Sequence, residues 1–438
     1  MAPTFVDSFR IAAPYIHKHR GKTFVVLVGG EAVRSSRLAP LMHDVALLHG
    51  LGARVVLVHG TRPQIAKRLD IKGLPARFEN EVRVTDRAAL ECVHEAVGAA
   101  RARVDSALSM GTTNSPMAYA RIRVTGGNYV TARPIGVRDG VDYLFTGEVR
   151  RVDTDAIVHG LDGGAIVLVS PLGHSPTGES FNLSSHDVAC EVAIALQADK
   201  LVCLVEGRGV LDGRRRLIQQ LTPVQADALL LKKQRRGADQ RKHLAAAARA
   251  VRGGVRRAHL VDRRRDGALI EEIFTREGIG TLITRERYED LRPARMEDVG
   301  ALAMLLQPLE EEGLLIRRSR ERIEMEIDRF VVIDRDGLVI GCAALEPFVE
   351  DGTGEMYCVA IHPQYRDGGR GEVLLRWVEE RALAEGLSRL FVLTTRSAHF
   401  FGERGFEPAT VRQLPKARRA SYDRSRRSRV MIKTLSGS

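Results

Sequence analysis

Hydrophobic residues follow two different rhythms along this 438-residue chain. In the first part they come as short unbroken runs that end in glycine: FVVLVGG at 24–30, ARVVLVHG at 53–60, GGAIVLVSPLG at 163–173 and KLVCLVEGRGV at 200–210. A run that is apolar at every position, and too short for a helix, suits a strand covered on both faces. These runs therefore predict the centre of a parallel sheet. Between them, RLAPLMHDVALLHGLG and SSHDVACEVAIALQA read as helices. Strands alternating with helices predict an α/β sandwich, with ligands at the glycine-rich strand ends. A charged, alanine-rich helical region and a short strand follow, and ALIEEIFTREGIGTLIT closes this first domain.

The rhythm changes around RERYEDLRPAR (285–295). The expected division is a first domain over 1–286, a linker over 287–295 and a second domain over 296–438. MEDVGALAMLLQPLEEEGLL reads as helix, and FVVIDRDGLVIGCAALEPF as a hairpin turning at Arg335-Asp336-Gly337. GEMYCVAIHP is a strand, GEVLLRWVEERALAEGL a helix, RLFVLTT a strand, AHFFGERGF a short helix and turn, and the tail ends in another strand. Between the GEMYCVAIHP strand and its helix lie Arg366, Asp367, Gly368, Gly369, Arg370 and Gly371. Glycines there let backbone approach a ligand closely, and a helix N-terminus offers free amides to an anion.

Composition narrows the picture. With 44% apolar residues the chain can bury two sizeable cores. It has no uninterrupted apolar stretch of about 18 residues, so no membrane span is expected. The N-terminal stretch lacks the layout of a secretory signal. The five cysteines are scattered with no C-x-x-C, which fits a reducing cytoplasm and neither a disulfide frame nor a zinc site. No metal and no resident cofactor are expected. A net charge of +12 admits anionic metabolites or nucleic acid as partners. The most basic stretches, KKQRRGADQRK and VRRAHLVDRRRDG, carry no aromatic residue on which bases could stack, so nucleic acid is not expected.

The second-domain order of hairpin, strand, R-x-x-G-x-G, helix, strand, short helix and ERGF resembles the GNAT acetyltransferase family. That resemblance implies an α+β domain whose loop amides, from Arg366 to Gly371, wrap the pyrophosphate of acetyl-CoA. It also implies a bent strand whose backbone around Cys358, Val359, Ala360 and Ile361 faces the pantetheine and the thioester. A donor aimed at the thioester oxygen would stabilise the oxyanion of a tetrahedral intermediate, and losing one such donor costs about 3 kcal/mol.

Taken whole, the chain resembles the two-domain bacterial N-acetyl-L-glutamate synthases, in which an amino-acid-kinase-like sandwich precedes a GNAT domain. LVGGEAV, RPQI, DGVDYLFTGEVRRVD, TGESFNL, RRSRERIEMEIDRF, GCAALEPF and FVLTTRS carry this likeness besides the motifs above. It implies direct acetyl transfer from acetyl-CoA to L-glutamate, the first step of arginine synthesis, in a cytoplasmic homo-oligomer, a hexamer in relatives. Arg318 and Arg426 match the family's glutamate-binding arginines, with Arg427 left open as the alternative in the tail. Two carboxylates suit the planar fork of arginine. Glu355 matches the proposed base that takes the amine proton. Thr394 matches a hydroxyl proposed to protonate the leaving thiolate. Cys358 matches a position facing both substrates and is read as a backbone contributor, not an acyl carrier.

The same resemblance implies a kinase fold without kinase chemistry. The lysine that such kinases carry before the first glycine pair is Leu27 here, and the second glycine-rich loop reads His59-Gly60-Thr61-Arg62-Pro63-Gln64-Ile65. Phosphoryl transfer depends on positioned positive charge and metal, so no ATP turnover is expected. Arginine-sensitive relatives bind L-arginine in this domain. The matching positions are Tyr15 on one wall and, on the other, Glu272 for the guanidinium and the amides near Gly278 and Gly280 for the carboxylate. An acetyltransferase for another amine, and a non-enzymatic amino-acid sensor, remain as alternatives; the paired arginines argue for an acidic acceptor.

Overall fold

Alternate residues of the strand Thr23–Val28 serve two different cores. Phe24, Val26 and Val28 pack with Met42 and Leu48 of the helix Leu38–Gly50 and with Leu269 and Ile273 of the helix Ala268–Phe274. Val25 and Leu27 face the other way, onto Val188 and Val192 of the helix Ser185–Ala195 and Leu244 and Ala247 of the helix Ala238–Arg252. A sheet with helices on both faces is the three-layer sandwich that the unbroken apolar runs predicted. Each such side chain, fully buried, contributes roughly 1.5–3 kcal/mol.

The structure is a computed structural model that describes residues 4–110, 117–231, 237–275, 278–285, 289–335, 337–366 and 369–435. Its contacts divide into two compact units, Met1–Glu286 and Arg287–Ser438. In the first unit, eight strands run in the order 220–221, 281–284, 257–262, 200–205, 23–28, 54–59, 165–169, 123–126. All neighbours are parallel except 257–262 with 281–284. The four runs singled out in the sequence are four consecutive strands of this sheet. A smaller four-stranded sheet, built from 180–182, 172–174, 130–134 and 147–152, was not foreseen. Its strands are short and only partly apolar, so they carry little periodic signal.

The second unit has one seven-stranded sheet in the order 289–293, 330–335, 338–348, 353–361, 389–394, 429–434, 407–409. Only 353–361 with 389–394 is parallel. The helix Arg370–Ala384 covers one face and Val299–Glu311 the other. One expectation is corrected. Residues 289–293, placed within a linker over 287–295, form an edge strand paired with 331–335. Only Leu291 there is a large apolar residue, so the segment reads as polar connection. Its place is held by ladder bonds and by Arg292, whose guanidinium bonds Asp298 at 2.7 and 2.9 Å and Asp334 at 2.7 Å.

Candidate active site

The ladder between strands Thr353–Ile361 and Arg389–Thr394 stops at Glu355↔Phe391. Beyond that pair each strand continues with its other neighbour, to Ile361 on one side and Thr394 on the other. Two parallel strands that stop pairing midway leave a cleft edged by unpaired backbone. The cause lies in a bulge. Cys358 and Val359 together oppose the single Ala343, between the pairs Cys342↔Ala360 and Ala344↔Tyr357. Cys358 has φ +50°, in the left-handed region that non-glycine residues seldom adopt. The bent strand expected around Cys358, Val359, Ala360 and Ile361 is present, and its bend is this bulge.

The helix Arg370–Ala384 starts on the cleft side, after Ile361 and the turn. Gly369, its N-cap, has φ +72°, which favours glycine. At Gly371 a Cβ would meet the Phe400 ring at 3.0 Å and Ile361 at 3.8 Å, so the helix start packs tightly against the segment after Thr394. Arg366 is exposed. Asp367 and Gly368 lie outside the described residues. Arg370 needs a distinction: its side chain is committed to Glu289, at 2.8 and 2.5 Å, and to the Tyr365 carbonyl at 2.8 Å. The guanidinium thus ties the loop to the edge strand, and only the backbone of Arg370 belongs to the helix mouth.

Glu355 sits at the last rung before the strands part, 7% exposed. Arg418, from the short helix Lys416–Ala420, bonds both of its oxygens, at 2.5 and 3.1 Å. Thr394 ends the neighbouring strand, buried, its Oγ1 accepting from the Ser397 amide at 2.8 Å. Three residues past Phe391, it stands roughly 10 Å along that strand, across the cleft from Glu355.

Arg318 leaves the loop before the helix Arg320–Met325 and lies over the Tyr357 ring at 4.6 Å. Its Nη1 donates to Cys358 Sγ at 3.2 Å, and Glu326 lies 3.6 Å from its Nε. Tyr357 Oη donates to Glu326 at 3.2 Å. Burial, offset only in part by Arg318, pushes the Cys358 thiol up to about 12, so this sulfur is a neutral, unreactive group. Arg426 donates to the carbonyls of Gly313 and Leu314 at 3.1 and 2.9 Å, docking the tail on the loop that carries Arg318. Arg427 is exposed. The tail thus meets a loop 112 residues earlier in the chain, and that loop carries Arg318 to the bulge. Sequence reasoning missed Arg418 and Glu326, which sit in runs of like residues with no distinguishing spacing. A cavity of about 450 Å³, partly lined by Thr410, Tyr422 and Arg429, includes none of the expected site residues.

Comparison with known proteins decides the family. The acetyltransferase (GNAT) family matches residues 299–406, and the amino acid kinase family residues 22–262. An amino-acid acetyltransferase of Azotobacter vinelandii is 54% identical over 432 residues, covering 98% of this chain and 99% of that one. One of Pseudomonas aeruginosa is 52% identical over 434 residues, covering 99% and 100%. The chain belongs to the amino-acid acetyltransferases. A solved N-acetylglutamate synthase of Neisseria gonorrhoeae, complexed with coenzyme A and L-arginine, matches with a TM-score of 0.90 at 38% identity over 99% of this chain and all of that one. The same enzyme complexed with coenzyme A and N-acetyl-glutamate matches with a TM-score of 0.63.

In the first unit of this acetyltransferase, Tyr15 is half-buried on the helix Phe5–His19 and packs into the cluster that holds Ile273 and Phe274. Glu272 is buried and accepts from the amides of Ile279 and Gly280 at 2.6 and 2.8 Å and from His259 Nδ1 at 2.7 Å. Burial, then the nearby Lys200 ammonium, push His259 down, so it is a neutral ring donating to an ionised carboxylate. Burial opposes the charge on Glu272, but the bonds from His259, Ile279 and Gly280 outweigh it and hold Glu272 below the usual carboxylate range. Here the structure differs from expectation: the Gly280 amide serves Glu272 itself rather than standing open. Both glycines are needed for this closeness. Gly278 has φ +59°, and a Cβ on Gly280 would meet the Leu260 carbonyl oxygen at 2.3 Å.

The first two glycine loops of the acetyltransferase are packed on each other. A Cβ on Gly60 would lie 2.6 Å from the Gly30 nitrogen, and one on Gly30 2.6 Å from Pro63. Leu27 is fully buried. One further cluster was not foreseen. His186, Asp239 and His243 offer three ligand atoms within 4.8 Å of one another. Burial, then His243, push His186 down to about 3, and a hydrogen bond from His243 brings Asp239 to about 2. Asp239 and His243 are one helical turn apart, a spacing that could have flagged them.

Proposed function

We propose that the chain acetylates L-glutamate with acetyl-CoA by direct transfer, giving N-acetyl-L-glutamate and CoA. The observation that carries this is the bulged strand at Cys358, which parts from its neighbour beside Arg318, while Arg426 docks the tail on the loop that carries Arg318. In this reading the amides at Gly369–Gly371 meet the pyrophosphate, and the pantetheine lies along Cys358–Ile361. Arg318 and Arg426 take the two carboxylates of glutamate. Glu355 receives the amine proton, and the freed lone pair attacks the thioester carbonyl. A backbone amide of the bent strand stabilises the oxyanion. The carbonyl re-forms as the C–S bond breaks; Thr394 passes a proton to the thiolate and recovers one from the acylated nitrogen, which gives up this second proton as the neutral amide forms. The Neisseria gonorrhoeae enzyme complexed with coenzyme A and N-acetyl-glutamate supports the same pair of substrates.

L-arginine acts as effector through the first unit, with Tyr15, Glu272 and Gly278 as its site and Gly280 holding the Glu272 carboxylate in place, supported by the arginine in the other Neisseria gonorrhoeae complex. Inhibition requires that arginine bind one global state better than another. Cytoplasmic residence is supported by five buried cysteines without disulfides. No described helix is long and apolar enough to cross a membrane. A homo-oligomer, a hexamer by resemblance, is supported by the helix Phe5–His19, where Phe5, Phe9 and Ile11 are 82%, 56% and 55% exposed. The deciding experiment is CoA release from acetyl-CoA against a panel of amino acids and polyamines. Glutamate should be the preferred acceptor, and Arg318→Ala and Arg426→Ala should each raise its KM by about a hundredfold or more, a charge partner being worth about 3 kcal/mol, with the KM for acetyl-CoA unchanged. Unaltered glutamate KM in both variants places the acceptor elsewhere.

A further inference from the structure

We propose that His186, Asp239 and His243 form a binding site for a single zinc-class divalent cation in the first unit. His186 is the second residue of the helix Ser185–Ala195, and Asp239 and His243 occupy successive turns at the start of the helix Ala238–Arg252. The site therefore bridges the first turns of two helices that pack together on one face of the large sheet. Further along, Arg249 locks the same helices, donating to Asp187 at 2.7 Å and to Cys190 Sγ at 3.1 Å. The ligand-bearing ends are thus held in register before any ion arrives.

The geometry is close to what a small cation needs. Asp239 lies 3.6 Å from His186 Nε2 and 3.3 Å from His243 Nε2. Tetrahedral bonds of 2.0–2.1 Å place neighbouring ligand atoms roughly 3.3 Å apart. All three ligand atoms already lie within 4.8 Å, so small side-chain rotations complete the set. The two imidazoles stand edge to face with centroids 4.3 Å apart. His186 Nε2 is buried with no hydrogen-bond partner, although it points at this cluster. A buried nitrogen left unpaired is costly and rare, and a metal ion would satisfy it.

Ligand chemistry selects the cation. Two imidazoles and one carboxylate suit zinc and its neighbours, whereas magnesium and calcium want oxygen. Arg62 and Lys242 act on His186 and oppose any cation there, so the ion has to be held by imidazole bonding rather than by charge. Three protein ligands leave the fourth position to water or a small ligand. His243 Nδ1 is buried without a partner, so that ring lacks the outer hydrogen bond that usually strengthens a metal-bound histidine. Micromolar rather than nanomolar affinity is expected. Bound metal would fasten the two helix starts and stabilise the folded chain by mass action.

The test uses the full chain freed of metal with a chelator. Zinc chloride is titrated by calorimetry, and cobalt(II) is followed by its visible d–d absorption. Wild type should bind one equivalent more than either Asp239→Asn or His186→Gln, or bind that equivalent at least about tenfold more tightly. Its cobalt spectrum should show a four-coordinate band that both variants lose. Asp239 is more than half exposed and its substitution isosteric, so that variant should fold, and the circular dichroism of both variants is compared with wild type. Equal stoichiometry, affinity and cobalt spectra in wild type and Asp239→Asn overturn the proposal. Displacement of zinc by equimolar magnesium overturns the assignment of the cation class.

Discussion

Both carboxylate oxygens of Glu355 are held by the guanidinium of Arg418, at 2.5 and 3.1 Å, where the side chains are only 10% and 14% exposed. The base expected from the sequence is therefore a fixed carboxylate and not a free one at a strand edge. Each oxygen keeps lone pairs beyond those taken by arginine, so an amine proton, or a water carrying it, still has a place to go. Glu355→Gln should lower kcat by about 10²–10⁴-fold, the usual worth of a positioned base, and leave acetyl-CoA binding intact. A kcat within a factor of about three of wild type removes Glu355 from the chemistry.

Arg418→Ala is a different experiment, because it strands a buried charge. Breaking one side of such a pair costs about 3 kcal/mol or more. Denaturant unfolding of the variant should show that loss, and Arg418→Lys, which keeps the charge but not the fork, should fall between. A stability unchanged in Arg418→Ala would mean that the pair does not persist in solution.

The close contact at Gly371 yields a prediction about the donor. A methyl group there pushes on the Phe400 ring from 3.0 Å and shifts the start of the helix Arg370–Ala384. Gly371→Ala should raise the KM for acetyl-CoA by about tenfold, some 1.4 kcal/mol of lost helix-terminus contact, and barely change that for glutamate. Equal effects on both would show that the loop does not discriminate between them.

Kinase chemistry should be absent. A Cβ on Gly60 would meet the Gly30 backbone and one on Gly30 would meet Pro63, so the loops are closed together, and Leu27 is buried at the position where kinases that the chain resembles carry a lysine. No ADP should form from ATP with glutamate or N-acetylglutamate at rates above buffer. Turnover that depends on the protein would contradict this.

Acid should destabilise the first unit. Burial, offset only in part by a hydrogen bond to the Gly60 backbone, pushes His59 down from 6.5 to about 4, and burial with the Lys200 charge does the same for His19. Between those limits the unfolded chain binds protons that the folded one refuses, so stability rises with pH through this window. The full contribution is present above pH 6.5 and is lost progressively as pH falls towards 4. For His59 alone this amounts to about 3 kcal/mol. Thermal midpoints measured from pH 7 to 4 should fall, and His59→Gln should flatten the slope. A midpoint independent of pH across that range would show that these rings are not buried.

Runs such as FVVLVGG and KLVCLVEGRGV fixed the sandwich, because a fully apolar strand can be satisfied only between two layers of helices. The glycines at 369 and 371 and the order of elements around them fixed the second sheet in the same local way, since a turn or a helix start depends on neighbours in sequence. Only the tertiary structure decided which polar groups meet. Arg418 reaches Glu355 across 63 residues, Arg426 reaches Leu314 across 112, and Arg370 ties down the strand at Glu289 across 81. Periodicity encodes which face of an element is apolar, but a charged side chain finds its partner through the packing of whole layers. The same reason hid the meeting of His186 with His243 and the turn of Glu272 onto the amides of Ile279 and Gly280.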